Sequence, residues 1–356
     1  MIHFFLTFSK TAEDSPFGRR LAEMGVATRI IAGEVRHHFR HRLWMVFVGR
    51  PQTTFFAIKA AVRSLVLERP TPRVVVVWTH IEALIVGLVR WLFRRADTKI
   101  VLVGFILTRR EGSLHNALRN AYFRTVFSVV NMAVVHSSVE ATRYTGLFKG
   151  CKTHFVFIPW GSHISGLTAM AADIDHSHQP ADVLCAGKSG RDYRTLYTGL
   201  AGGQWRVKIV CDLTEALAGC PPANNIQVLS KCHGEAYFKE ALRARCIVIP
   251  LGVGDISAGQ MVLLQAMEMG KAIVITRTAT TVDYATHEHD VLMVEPGNPT
   301  NLAAAVERLL SDPALAGRLG RNAAQSFRER FTVPALVTNL VNEIRTMDPQ
   351  AGKATY

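Results

Sequence analysis

Short apolar runs alternate along the whole chain with longer stretches in which apolar residues return every three or four positions. Runs such as 73–78 (RVVVVW) and 247–250 (IVIP) have no polar side, the pattern of a strand buried on both faces of a parallel sheet. In the first half, residues 2–8, 27–32, 99–107, 132–136 and 155–159 read as further strands. Helical patterns fall between them at 15–24, 54–67, 81–93, 114–129 and 138–147. In the second half, 183–186, 205–211, 226–229 and 271–276 read as strands, and 236–244, 301–310, 313–330 and 333–347 as helices. Strands alternating with helices predict an α/β protein with doubly wound, Rossmann-like sheets. The alternation breaks once, at 161–180 (GSHISGLTAMAADIDHSHQP), which reads as a linker. The expected organisation is a domain at 1–160, the linker, a domain at 181–332, and a last helix with tail at 333–356.

The segment 247–276 (IVIPLGVGDISAGQMVLLQAMEMGKAIVIT) concentrates the candidate chemistry. It predicts strand, loop, helix, turn and strand, with the helix starting near Ser257 and closed by Gly270. That helix is apolar on nearly every side, but its first turn is Ser257, Ala258, Gly259 and Gln260. Unsatisfied N–H groups and the positive end of the helix dipole make such an end a site for an anion. A second such feature follows the strand 183–186, where Gly187, Lys188, Ser189, Gly190 and Arg191 turn into a helix capped by Asp192. Its glycines let backbone approach a phosphate, and its two cations complement one.

Composition narrows the class. A chain of 356 residues is long enough for two domains, and 49% hydrophobic content describes a folded protein. Lys and Arg number 41 against 28 acids, a formal charge of +13, which points to an anionic partner. Arginine interleaved with aromatics at 35–50, 90–95 and 108–124 favours an anionic membrane surface over nucleic acid. The six cysteines have no metal-site spacing and fit buried thiols in a reducing cytosol. Asp173, Asp175, His176 and His178 fall in the linker and read as solvated polar residues rather than as a metal site. No apolar run approaches the ~20 residues of a membrane span, and Met1–Phe8 lacks the basic leader of a signal peptide. The expected location is the cytoplasm, working at the inner face of the membrane.

The run Leu264-Gln265-Ala266-Met267-Glu268-Met269-Gly270-Lys271-Ala272-Ile273-Val274, followed by Asp283-Tyr284 and Val294-Glu295-Pro296-Gly297, resembles the donor-site signature of bacterial family 4-type glycosyltransferases. The resemblance is close over 181–331 and extends to the first half in outline. It implies the GT-B architecture, with two Rossmann-like domains, a cleft between them and a C-terminal helix crossing back to the first. It further implies transfer of a sugar from a UDP-, GDP- or other nucleotide-linked donor, with retention and without a bound metal or other cofactor. The acceptor it implies is a glycan, lipid-linked and used in polysaccharide assembly. In the family, two glutamates eight positions apart line the donor site; this chain has Ser257 and Gln265 there. Lys188 and Arg191, with Gly187, stand where the family clamps the donor diphosphate, and backbone near Ser230 where it holds the base. His80 and Glu111, after predicted strands of the first domain, are the candidate catalytic groups. Two other classes fit parts of the pattern: a hydrolysing sugar-nucleotide epimerase of the same fold, and a basic nucleic-acid-binding protein, which would explain the charge but not the two phosphate-type turns.

Overall fold

The computed structural model describes residues 1–6, 15–32, 50–107, 113–174, 181–212, 214–254 and 257–353. Two compact units emerge: Met1–Ile158 with Val333–Tyr356, and Pro159–Thr332.

The first unit holds β1 (Ile2–Leu6), α1 (Pro16–Glu23), β2 (Thr28–Ala32), α2 (Arg50–Val62) and β3 (Val74–Val77). Then come α3 (His80–Leu92), β4 (Lys99–Val103), α4 (Ser113–Val129), β5 (Met132–Val135), α5 (Ser138–Leu147) and β6 (His154–Phe157). The six strands are all parallel, in the order β2-β1-β3-β4-β5-β6. Alternate residues of one strand enter opposite cores, which is why the runs are continuously apolar. Val75 and Val77 pack with Ala83, Val86, Phe123 and Phe127 beneath α2–α5, whereas Val74 and Val76 pack with Leu21 and the C-terminal helix.

The second unit holds α6 (Leu167–Ala172), β7 (Val183–Ala186), α7 (Tyr193–Leu200), β8 (Val207–Val210), β9 (Ile226–Leu229), α8 (Glu235–Arg243) and β10 (Cys246–Ile249). It continues with α9 (Gln260–Glu268), β11 (Ala272–Thr276), β12 (Leu292–Val294), α10 (Pro299–Ser311) and α11 (Pro313–Arg330). Its sheet is again parallel, in the order β12-β11-β10-β7-β8-β9. Because β7 leads to β8 on one side while β10 lies on the other, the strand order reverses between β7 and β10. Loops leaving two such neighbours diverge to opposite faces and open a crevice at the strand ends.

Two sequence expectations shift, the character of 161–180 and the start of the helix expected from Ser257. The stretch 161–180 is not simply a connector, because it holds α6, and its Ile164 is buried with its amide donating to Glu268 Oε1 at 2.9 Å. The final helix, α12 (Val333–Met347), belongs to the first unit, where Leu336, Leu340 and Ile344 fill the core beside β1 and β3. The helix expected from Ser257 begins three residues later, at Gln260.

Candidate active site

At the β7–β10 reversal two loops are tied together by backbone. Asp192 N donates to Pro250 O at 3.0 Å, Gly252 N donates to Gly190 O at 3.0 Å, and Arg191 forms an isolated antiparallel bridge with Leu251. Leu251 is itself fixed through its amide to Thr276 Oγ1 at 2.8 Å, so the end of β11 supports the same loop. A Cβ on Gly190 would sit 2.9 Å from the Cβ of Ala258, so the two loops touch.

The first loop is shaped from within. Gly187 has φ +105°, a conformation open to glycine, and a Cβ there would meet the Arg191 guanidinium at 2.6 Å. Arg191 donates through Nε to Ala186 O at 2.8 Å and through Nη1 to Ser189 O at 3.1 Å. Its principal contacts are therefore with its own turn rather than with open solvent. Tyr193 Oη donates to Gly187 O, and burial holds that phenol well above its usual range. Asp192 caps α7, accepting from Thr195 N at 3.0 Å. Lys188 is exposed and has no hydrogen-bond or ion-pair partner among the described residues.

The second loop ends in an open helix terminus. Gly259, with φ +85°, is the N-cap of α9, and among the described residues no side chain caps that end. Ser257 and Ala258 are half-buried and lie outside the helix, so Ser257 is not the cap. The first α9 amide with an intrahelical acceptor is Leu263 N, to Gly259 O at 2.9 Å. The amides of Gln260, Met261 and Val262 meet no acceptor among the described residues. Gln260 is 8% exposed, and its Nε2 is buried without a partner among the described residues. Among the described residues, this helix end offers three backbone amides without an acceptor, and Ala258, just before it, lies against the Gly190 turn. That set fits an oxyanion such as a phosphate. Gln265 lies half-buried on the same helix, eight positions beyond Ser257.

Ser230 is exposed at the end of β9. Its loop is held by Asp212, which accepts from Lys231 N at 2.6 Å and pairs with His233 Nε2 at 2.8 Å. Nothing in the sequence singled out Asp212 beyond its place just after a strand. The Thr278 and Thr281 hydroxyls, which close the turn after β11 by accepting each other's amides, were likewise missed.

In the first unit, His80 opens α3 at the end of β3, half-buried and edge-on to Tyr122 and Phe123 at 5.6 Å each. Thr79 and Glu82 complete a capping box behind it. Glu82 is fully buried and accepts from Trp78 N and Thr79 N, and burial raises its pKa. Glu111 lies outside the described residues, as do Asp175, His176, His178 and the basic stretch 35–49.

Two parallel doubly wound units, with a C-terminal helix assigned to the first, define the GT-B fold, and solved structures agree. Sucrose-phosphate synthase from Thermosynechococcus elongatus superposes over 97% of this chain and 98% of its own, with a TM-score of 0.66 at 14% identity. Anabaena HepE in complex with UDP-glucose matches 97% of this chain and 100% of its own, with a TM-score of 0.63 at 14% identity. The α,α-trehalose 6-phosphate synthase of Burkholderia multivorans matches 100% and 98%, with a TM-score of 0.63 at 11% identity. Within that fold, residues 199–312 match the family described as "Glycosyl transferases group 1". The chain is also 40% identical over 67 residues to the lipopolysaccharide core biosynthesis glycosyltransferase LpsD of Rhizobium meliloti (strain 1021). That stretch is 19% of this chain and spans about one fifth of the relative's length.

Proposed function

We propose that this protein is a glycosyltransferase, moving a sugar from a nucleotide-diphosphate donor to a glycan acceptor. The observation that carries the proposal is the open N-terminus of α9 lying against the Gly187–Arg191 turn at the strand-order reversal. Departure of a nucleoside diphosphate develops charge on the β-phosphate, and fixed donors stabilise it most effectively when they need not reorganise. The Gln260, Met261 and Val262 amides, Gln260 Nε2 and the Lys188 ammonium are such donors. With them in place, transfer proceeds without a bound metal. HepE's complex with UDP-glucose and the sequence match to group 1 glycosyltransferases support a nucleotide-sugar donor. Ser230 and its neighbours are the proposed base contact, and Gln265 the proposed ribose contact, through uncharged hydrogen bonds. His80, at a strand end of the first unit, is the proposed group on the acceptor side, in a reaction that retains configuration. The match to LpsD supports an acceptor in surface-polysaccharide assembly, which we take to be lipid-linked.

The test is calorimetric titration with UDP, GDP and ADP, followed by turnover of the matching nucleotide-sugars with and without lipid extract. One tightly bound nucleotide and lipid-stimulated release of it support transfer. Release that lipid leaves unchanged identifies a hydrolysing enzyme instead, and binding of nucleic acid without nucleotide removes both.

A further inference from the structure

We infer that the outer face of α2, α3 and α4 in the first unit is a docking surface for an anionic phospholipid bilayer. The three helices lie side by side on one face of the first sheet. Their inward residues, among them Ala60, Val86 and Phe127, share a single core, so their opposite sides face solvent together. On α2 and α3 that outward side carries large apolar residues where a soluble helix layer is normally polar: Phe55 is 71% exposed, Leu88 55%, Trp91 73% and Leu92 58%. Between α3 and α4 runs a groove of about 1030 Å³, with Leu84, Leu88 and Trp91 along one side and Ser128 to Asn131 along the other. Arg90 also lines it, donating through Nη1 to Thr98 O and Asn131 Oδ1 and through Nη2 to Val129 O. Its rim carries Arg94 and Lys152, both exposed and neither with a partner among the described residues.

Charge selects the occupant. Over their 13, 13 and 17 residues the helices α2, α3 and α4 contain a single carboxylate, Glu82, and it is fully buried. Lys59, Arg94 and Lys152 stand exposed around the apolar residues, with Asp97 the one exposed acid beside them among the described residues. Apolar side chains ringed by free cations complement acyl chains beneath anionic headgroups. No described helix is long and apolar enough to cross a membrane, which suits a face that lies on a bilayer. The inference rests on the first unit alone and stands or falls separately from sugar transfer.

Vesicle flotation of the full chain tests it, with phosphatidylcholine alone or mixed with phosphatidylglycerol, at low and high salt. The expected result is binding to the anionic vesicles only, weakened by salt. Each cation near such a surface strengthens binding roughly fivefold, so Arg94→Gln with Lys152→Gln lowers the partition coefficient about 25-fold. Brominated acyl chains should quench tryptophan emission in the wild type and lose most of that quenching in Trp91→Phe. An unchanged circular-dichroism melt for these surface variants shows that the fold is intact. Absence of binding to anionic vesicles overturns the inference. So does binding that survives both variants, or duplex DNA binding through these residues with no affinity for lipid.

Discussion

The amide of Gly252 donates to the carbonyl of Gly190 over 3.0 Å, joining the loop after β10 to the loop after β7. That bond ties the Gly187–Arg191 turn to the loop that leads into α9, and the functional proposal depends on their adjacency. Gly190 has φ +66° and no space for a side chain, since its Cβ would lie 2.9 Å from that of Ala258. Gly190→Val should part the loops. We expect nucleotide affinity to fall at least tenfold, with a stability loss of about 1–2 kcal/mol from the strained backbone and the contact together. Titration calorimetry and a thermal melt measure the two effects.

Gln260 separates function from stability. Its buried Nε2 donor has no partner among the described residues, a condition that costs roughly 1–3 kcal/mol. Gln260→Met should leave the melting temperature unchanged or raise it, while weakening nucleotide binding by about tenfold, one charge-assisted hydrogen bond. Stability and affinity falling together would show that Nε2 serves the fold.

Arg191 and Lys188 should behave differently although both were expected to clamp a diphosphate. Arg191 is bound to Ala186 O and Ser189 O, so Arg191→Ala should lower both stability and turnover, the latter by about tenfold. Lysine should not restore it, having no planar fork to span the two carbonyls. Lys188→Ala should leave the melt untouched and reduce only nucleotide affinity, with a shallower dependence on salt. Paired melts and salt-series titrations distinguish the two roles.

Acid should destabilise the first unit through two buried histidines. Burial lowers the pKa of His3 and of His136 to about 4. The unfolded chain then binds more protons than the folded one between pH 6.5 and about 4. Their contribution is present in full above pH 6.5 and is lost as pH falls through that window. Glu82, whose pKa burial raises, acts in the opposite direction, so the informative quantity is a difference between variants. Denaturant midpoints from pH 7 to pH 4 should fall less steeply for His136→Gln than for the wild type.

The sheets were legible because parallel strands buried on both faces leave continuous apolar runs, as at Val74–Val77 and Cys246–Ile249. The start of α9 was not. Ser257 has the chemistry of an N-cap, but the left-handed Gly259 takes that place, packed so close to Ile249 and Leu251 that a Cβ would lie 3.2–3.3 Å from them. Local sequence carries no sign of that tertiary contact. Arg191 was recognisable as a cation in a glycine turn, but its inward direction depends on carbonyls that only the folded strand end presents. Asp212, which positions the loop carrying Ser230, is a lone acid whose partners lie 19 and more residues away. His80 was placed at a strand end by pattern alone, whereas its aromatic neighbours Tyr122 and Phe123 come from a different helix.

Amide hydrogen exchange followed peptide by peptide, with and without saturating nucleoside diphosphate, tests the phosphate crevice most directly. The account predicts slowed exchange confined chiefly to peptides covering 187–192 and 257–263, abolished in Gly190→Val. Protection that spares both segments, or none with any nucleotide that binds, would contradict it.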